Sequence, residues 1–216
     1  MVMRLAILIS GRGSNMLALA DALGPYEETH GQIVLVAADK SCAGLALAKE
    51  RGINSQHVPY QGRPKAESEA ELAALIKDYD VDYILLAGFM RVLSADFVAQ
   101  FDGRIINIHP SLLPKYKGLD THQRALSAGD TTHGVSVHLV TAGLDEGPVM
   151  AQASIPILAD DDENSLSTRL LPVEHELYAL VVKGLISGAL TLSDGKATWH
   201  ETVEMANPAA SLTLYR

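Results

Sequence analysis

Short apolar runs rich in β-branched residues alternate with longer segments of helical period through the first half of the chain. This alternation is typical of βαβ units, in which a crossover helix returns the chain to a new strand parallel to the last. The run Tyr83–Gly88 is almost entirely apolar, as expected for a strand that helices cover on both faces. The sequence therefore predicts an α/β fold with this run near the centre of a parallel sheet.

Turn and cap signals place the individual elements. Strands are predicted at 4–10, 32–38, 56–58, 83–88, 104–109, 134–140 and 149–157, and helices at 15–23, 44–51, 67–79, 95–100, 121–128 and from about 165 to 185. Ser94 is the expected N-cap of the fourth helix, and Asn164 or Ser165 that of the last. The acidic run Asp160–Glu163 is interpreted as a solvated loop and helix start, because consecutive carboxylates do not by themselves surround a metal ion. No linker separates domains, so residues 1–216 are expected to form one domain.

The composition excludes several classes of protein. With 216 residues and a formal charge of −9, the chain lacks the clustered Lys and Arg of a general nucleic-acid binder. The single cysteine, Cys42, cannot form an internal disulfide, and neither a leader nor a membrane-length apolar run occurs. We therefore expect a cytoplasmic, enzyme-like protein that binds neither nucleic acid nor membrane.

A glycine-rich turn, Ser10-Gly11-Arg12-Gly13-Ser14-Asn15, joins the first strand to the first helix. Backbone N–H groups at a helix start and the positive end of its dipole suit a phosphate, and Ser14 and Asn15 add side-chain hydrogen-bonding groups. A tight turn without a ligand is the alternative that this motif leaves open. A dinucleotide site is disfavoured, because Met16 stands where the Rossmann fingerprint has a third small residue and only Asp39 is available as its acidic partner.

A second polar group follows the strand at 104–109. Asn107 and His109 are two residues apart, so they point to one face near the carboxyl end of the strand, where open parallel sheets gather ligands. An amide beside an imidazole suits a reaction in which an oxygen gains negative charge while a proton moves, as in acyl or formyl transfer. A structural histidine is the alternative. Asp145 supplies a carboxylate that favours the imidazolium if the fold brings it near, and is otherwise an ordinary turn residue.

Other chemistry-bearing residues favour no separate site. The histidines at 122, 133, 138 and 175 lack zinc-ligand spacing, so no metal is predicted. Ser111 and Cys42 lack an evident base and orienting partner, which disfavours a serine or cysteine hydrolase. Trp199 and the chain after it are expected to pack or to form a sheet edge.

Six motifs together resemble the phosphoribosylglycinamide formyltransferases of purine biosynthesis. They are ISGRGSN at 9–15, LAGFMRVLS at 86–94, NIHPSLLP at 107–114, HGVSVHLV at 133–140, LDEGPV at 144–149 and EH at 174–175. The resemblance implies a Rossmann-like, mostly parallel twisted sheet flanked by helices, with an added C-terminal antiparallel strand and a long helix. It also implies a nucleotide-binding half at about 1–103, a catalytic and folate-binding half at about 104–190 and a tail at 191–216.

The same resemblance implies formyl transfer from 10-formyltetrahydrofolate to the amine of 5'-phosphoribosylglycinamide, without a metal, in a monomer or homodimer. Asn107 and protonated His109 would stabilise the tetrahedral oxyanion, and Asp145 would favour the imidazolium and relay protons through water. Gly13, Ser14 and Asn15 would hold the substrate phosphate, and Glu174 its ribose or amine end. The folate-binding residues implied are Lys65, Met90, Arg91, Val92, Leu93, Asn107, Thr141, Ala142, Gly143, Leu144 and Asp145.

Some positions depart from the family pattern, and the alternatives differ in substrate. Lys65 stands where an Arg is common, Leu171 where a polar residue is common, and Lys117 and Asp120 lie in a loop where Pro and His are common. The Asn–His–Asp set is shared with formyltetrahydrofolate hydrolases and methionyl-tRNA formyltransferases, which usually carry an additional domain. A non-catalytic nucleotide- or folate-binding module, and more remotely a nicotinamide dehydrogenase, are the other hypotheses.

Overall fold

A computed structural model of the protein describes residues 2–24, 30–193 and 195–215. Its backbone divides into two compact units, residues 1–107 and 108–216. Each unit is an assembly of strands and helices in its own right. The single domain predicted for residues 1–216 stays a prediction.

The first unit is a parallel α/β layer. In chain order its elements are β1 (Met3–Ile9), α1 (Ser14–Leu23), β2 (Gly31–Ala38), α2 (Ala43–Glu50), β3 (Ser55–His57), α3 (Lys65–Asp78), β4 (Tyr83–Leu86), α4 (Ala95–Gln100) and β5 (Ile105–His109), whose last two residues belong to the second unit. The strands pair in the order β3-β2-β1-β4-β5, and every pairing is parallel. The carboxyl ends of β1, β2 and β4 therefore lie along one edge of this sheet.

Burial explains why these runs are strands. Leu5, Ala6, Ile7, Leu8 and Ile9 in β1 are fully buried, as is usual for a central parallel strand covered on both faces. β4 ends at Leu86 rather than at the predicted Gly88, because Gly88 has φ +75° and turns the chain out of the sheet. Ser94 caps α4 as predicted, since its Oγ accepts the backbone N–H of Phe97 at 3.1 Å.

The second unit is antiparallel and contains the long helix. Its further elements are α5 (Thr121–Ser127), β6 (Thr132–Leu139), β7 (Val149–Pro156), α6 (Glu163–Ser187), β8 (Leu190–Ser193), β9 (Lys196–Trp199) and β10 (Ser211–Leu214). β7 pairs antiparallel with both β6 and β10, and β8 and β9 form a separate hairpin. α6 packs on β6 and β7. The predicted α/β class, with its parallel sheet, antiparallel addition and long helix, is confirmed.

The start of α6 corrects one prediction. The N-cap is Asp162, not Asn164 or Ser165: its carboxylate accepts the Ser165 backbone N–H at 2.7 Å, and the Ser165 hydroxyl accepts the Asp162 N–H at 2.9 Å. Such a reciprocal box satisfies two backbone donors at the helix start. The acidic run is thus a helix start, as predicted.

The chain after α6 packs and forms a sheet edge, as predicted. Trp199 is buried and its Nε1–H donates to the Met150 carbonyl at 3.0 Å, while β10 lies along β7. Residues 194 and 216 of the predicted tail lie outside the described residues. Across the described helices, none combines the length and apolar character needed to cross a bilayer.

Candidate active site

Steric crowding requires glycine at position 13, in the turn between β1 and α1. Gly13 precedes α1 at φ +77°, and a Cβ there would lie 3.0 Å from the Gly44 Cα and 3.1 Å from the Met16 Cε. Among the described residues, no side chain caps α1, and its first turn carries no acidic residue. Its positive end therefore suits an anion, as the sequence predicted for Gly13, Ser14 and Asn15.

The segment after β4 lies beside this turn. The Ser10 N–H donates to the Gly88 carbonyl at 3.1 Å, and the Met90 N–H donates to the Ser10 Oγ at 2.8 Å. Met90 and Val92 are 65% and 60% exposed, whereas Leu93 is 7% exposed. Leu93 is therefore part of the core, whereas Met90 and Val92 present exposed apolar surface after β4.

Arg91 is held by its own unit. Its Nε donates to the buried Asp39 carboxylate at 2.6 Å, and its guanidinium carbon lies 5.6 Å from the centre of the Tyr60 ring. The acid considered for a dinucleotide ribose is thus occupied by a cation, which disfavours that alternative further. Lys65 is the first residue of α3, where its half-exposed Nζ lies 3.7 Å from Glu69 Oε1.

In the second unit, Asp145 lies close to His109, as the sequence interpretation of Asp145 required. Asp145 Oδ2 lies 3.5 Å from His109 Nδ1, and the two side chains are 9% and 8% exposed. Asp145 is also a turn residue, at φ +50° in the loop between β6 and β7. Asp145 is therefore a turn residue whose carboxylate lies close to His109, and its catalytic role stays a prediction.

The loop after β5 contacts both members of this pair through its backbone. His109 Nε2 lies 2.9 Å from the Tyr116 carbonyl. A carbonyl can only accept, so Nε2 carries the proton and Nδ1 faces Asp145. The Gly118 N–H donates to Asp145 Oδ2 at 2.9 Å. Sequence reasoning missed these two contacts, because backbone groups leave no signal in residue types.

A second imidazole adjoins the carboxylate. His138, on β6, places Nε2 3.7 Å from Asp145 Oδ1, and its Nδ1–H donates to the Leu139 carbonyl at 2.8 Å. Burial lowers the pKa of His138, so its ring is neutral near neutral pH and places no second cation beside Asp145. The sequence alone did not predict that His138 lies beside Asp145.

Buried polar side chains fix the start of the same loop. Ser136 Oγ donates to the Ser111 carbonyl at 2.6 Å and accepts the Leu113 N–H at 3.0 Å, and Gln152 Nε2 donates to the Leu113 carbonyl at 2.8 Å. The Ser111 hydroxyl donates to the Lys115 carbonyl at 2.7 Å. The Ser111 hydroxyl therefore stabilises the loop through a hydrogen bond, which agrees with the argument against a serine nucleophile. The Leu113–Pro114 peptide is cis.

The other predicted positions lie as follows. Asn107 is half-buried on β5, two residues before His109, and Glu174 is half-buried on α6. Thr141, Ala142 and Leu144 are exposed and Gly143 is half-buried, in the loop that ends at Asp145. Within residues 2–24, 30–193 and 195–215, no three His, Cys, Asp or Glu side chains are grouped so that they could hold a metal ion.

Comparison with known proteins identifies the family. A family profile described as formyl transferase matches residues 3–182. The chain belongs to the formyl transferase family. The resemblance inferred from the six motifs is thereby confirmed.

Individual members of the formyl transferase family give the same result. The chain is 42% identical to the phosphoribosylglycinamide formyltransferase of Escherichia coli K12, over 90% of this chain and 92% of that protein. It is 45% identical to part of the trifunctional purine biosynthetic protein adenosine-3 of Drosophila melanogaster, covering 88% of this chain but 14% of that protein. The solved phosphoribosylglycinamide formyltransferase of Coxiella burnetii matches with a TM-score of 0.86 and 39% identity, over 93% of this chain and 94% of that one.

Proposed function

We propose that this protein transfers the formyl group of 10-formyltetrahydrofolate to the amine of 5'-phosphoribosylglycinamide, releasing tetrahydrofolate. The observation that carries the proposal is the 3.5 Å approach of Asp145 Oδ2 to His109 Nδ1 in a member of the formyl transferase family. The E. coli relative of nearly equal length, which bears the name of this activity, supports the choice of acceptor. The product would enter purine biosynthesis.

The chemistry requires charge stabilisation and one proton transfer. The substrate amine attacks the formyl carbon, a C–N bond forms, and the carbonyl oxygen becomes an oxyanion that the Asn107 amide and the His109 imidazolium stabilise. The bond from carbon to the folate nitrogen then breaks, and the proton lost by the amine passes to that nitrogen through water ordered by Asp145. With the Tyr116 carbonyl and Asp145 facing its two ring nitrogens, a protonated His109 has an acceptor on each side before substrate arrives.

The substrates would occupy the surfaces described for each unit. Gly13, Ser14 and Asn15 would bind the ribonucleotide phosphate, and Glu174 its ribose or amine end. Met90 and Val92 supply exposed apolar surface for the pterin, whereas Arg91 is paired with Asp39 and would contribute through its backbone. The remaining proposed folate contacts are Lys65, Leu93, Asn107, Thr141, Ala142, Gly143, Leu144 and Asp145. A cytoplasmic location and a monomer or homodimer stay predictions.

The test incubates the purified protein with 10-formyltetrahydrofolate under three conditions: with phosphoribosylglycinamide, with an aminoacyl-tRNA, and without an acceptor. We expect formylated ribonucleotide and tetrahydrofolate in equal amounts with the first acceptor, and neither formyl-tRNA nor formate with the others. His109→Ala is the control, and it should abolish turnover while retaining the fold.

Each alternative has its own outcome in this assay. Formate release without an acceptor would assign a hydrolase, and formylation of the aminoacyl-tRNA would assign the other transferase. Binding of both ligands without turnover by the parent protein would assign a binding module.

A further inference from the structure

One short loop contacts both members of the proposed catalytic pair. Residues 115–119, called the 115–119 loop below, carry the Tyr116 carbonyl that accepts from His109 and the Gly118 N–H that donates to Asp145. A shift of this loop would change the ring orientation of His109 and the carboxylate orientation of Asp145 together. The accuracy of the pair therefore depends on what holds the loop.

Asp130 anchors the beginning of the loop. Its carboxylate oxygens accept from Lys115 Nζ at 2.9 and 3.0 Å, and one of them also accepts from the Tyr116 hydroxyl at 2.7 Å. These hydrogen bonds from Lys115 and Tyr116 lower the pKa of Asp130, so the anchor stays charged near neutral pH. One carboxylate thus fixes the side chains of two successive residues, the second of which provides the carbonyl for His109.

Arg124, on α5, anchors the end of the loop. Its Nη1 donates to the Lys117 carbonyl at 2.6 Å and to the Leu119 carbonyl at 3.2 Å. Its guanidinium carbon also lies 5.2 Å from the centre of the Tyr116 ring. The loop is therefore held at both ends by charged side chains, and within the described part of the chain neither of them forms a hydrogen bond or ion pair with His109 or Asp145.

The surroundings of the Asp130 anchor leave room for movement. A cavity of about 350 Å³ is lined by Leu112, Lys115, Tyr116, Asp130, Thr132 and His133. A closely packed side chain would stay in place even without a polar partner. Tyr116 borders a cavity instead, so packing alone does not hold its side chain. The position of Tyr116 consequently depends on its hydrogen bond to Asp130 and on the Arg124 stacking.

We propose that Asp130 is a positioning residue for formyl transfer, which acts by holding the 115–119 loop so that its backbone orients His109 and Asp145. This inference rests on the proposed function for its kinetic consequences. Without the carboxylate, the Tyr116 carbonyl leaves its place, the His109 tautomer is no longer fixed, and a smaller fraction of molecules has both side chains aligned. Because the proposed phosphate and pterin surfaces involve other residues, turnover falls more than substrate binding.

The kinetic test compares Asp130→Ala and Asp130→Asn with a matched control. Asp21→Asn breaks another Asp pair at 2.9 Å, to Arg51 on the surface of the first unit, and should leave turnover unchanged. Asp130→Ala should lower kcat about tenfold with both KM values within about twofold, because it removes preorganisation rather than ground-state binding. Asp130→Asn retains an oxygen acceptor for the Tyr116 hydroxyl and should fall between the two.

A double-mutant cycle separates positioning from a general loss of structure. If Asp130 acts through the Asp145–His109 pair, Asp130→Ala in an Asp145→Asn background should lower kcat by less than about twofold further. A full tenfold additional loss would contradict the proposal, as would unchanged kcat in a folded Asp130→Ala protein. If Asp130→Ala does not fold, Tyr116→Phe, which removes one anchor bond and keeps the ring, answers the same question.

A spectroscopic test does not depend on the acceptor. Long-range ¹H–¹⁵N correlation of His109, without substrate and at a pH where its ring is neutral, should show the Nε2–H tautomer in the parent protein and a mixture in Asp130→Ala. The same single tautomer in both would overturn the positioning role even if transfer is observed. Absence of transfer with this expected spectrum would instead overturn the proposed function and leave the positioning role standing.

Discussion

Asp145 shows how one residue can serve a turn and a reactive site together. At φ +50° it reverses the chain between β6 and β7, and its carboxylate accepts from the Gly118 N–H while facing His109 and His138. Asp tolerates this left-handed region better than most residues, because its short side chain bonds local backbone groups. The turn thus brings a nearly buried carboxylate to the imidazole that the proposed mechanism uses in its protonated form.

The first prediction concerns this charge. Asp145→Asn keeps an oxygen for the Gly118 N–H but removes the charge that balances the His109 imidazolium. We expect kcat to fall by about 10²–10⁴-fold, the usual range for loss of a proton-transfer role, with a small change in thermal midpoint. Steady-state kinetics with each substrate varied would measure it, with Asp21→Asn as the control. A loss below about threefold would remove Asp145 from the mechanism.

At this scale the sequence predicted the side chains but not the backbone groups. Asn107 and His109 follow from strand periodicity, and Asp145 from its motif. The Tyr116 carbonyl and the Gly118 N–H depend on the path of a loop whose conformation no residue type determines. His138 reaches Asp145 because of the loop joining β6 to β7, which is a feature of tertiary structure.

Among the elements, the turn from β1 to α1 shows how a close backbone approach selects glycine. Gly13 has φ +77° and lies against Gly44 at the start of α2, where the Gly44 N–H donates to the Gly11 carbonyl at 3.1 Å. A Cβ at Gly44 would lie 2.4 Å from the Ile9 side chain and 2.9 Å from the Gly11 carbonyl oxygen. Two helix starts and one strand end thus meet so closely that a Cβ at Gly13 or Gly44 has no room.

The second prediction tests this turn. Gly13→Ala introduces a left-handed alanine, which costs about 1–2 kcal/mol, and a Cβ 3.0 Å from the Gly44 backbone. We expect a lower urea midpoint and a raised KM for the ribonucleotide. Gly11→Ala is the control for stability, since a Cβ there meets no described atom within 4 Å. Equal midpoints for the two variants would contradict the steric argument.

Most helices and strands could be predicted, because the spacing of their apolar residues is visible within a short stretch of sequence. α3, predicted at 67–79, spans Lys65–Asp78, and β7, predicted at 149–157, spans Val149–Pro156. The predicted cap of α6 is wrong because Asp162, Asn164 and Ser165 are all competent caps, and only the backbone geometry selects Asp162. β10 was not assigned as a strand, because a four-residue edge strand exists only through its pairing with β7.

For the whole molecule, buried and half-buried histidines link stability to pH. Burial is the largest cause lowering the pKa of His122, His133, His138 and His175, and for His133 the value falls to about 4. His122 Nδ1 and His133 Nε2 share one proton in a 3.0 Å hydrogen bond. Protonating both rings would break that bond and place two cations side by side.

The third prediction follows from the sign of these shifts. In the unfolded chain these histidines bind protons below about pH 6.5, whereas the folded protein resists protonation, so the free energy of unfolding should fall from about pH 6.5 towards pH 4. Urea midpoints at pH 7.5, 6.5, 5.5 and 4.5 would measure the slope. His133→Asn should flatten it. Hydrogen bonds lower the pKa values of the Asp130 and Asp161 carboxylates, so these groups change the free energy of unfolding only below about pH 3.8. They do not contribute to the slope between pH 6.5 and 4.5. A pH-independent midpoint between 6.5 and 4.5 would contradict it.

The acceptor for His109 Nε2–H is a peptide carbonyl, and the donor to Asp145 is a peptide N–H. Removing the Tyr116 side chain deletes neither group, and Gly118, at φ +79°, has no side chain to remove. Single alanine substitutions within the 115–119 loop would therefore leave the two backbone groups that contact His109 and Asp145 in the chain. A graft of this site into another scaffold would have to reproduce the backbone path from Leu113 to Leu119, and not only the residue types.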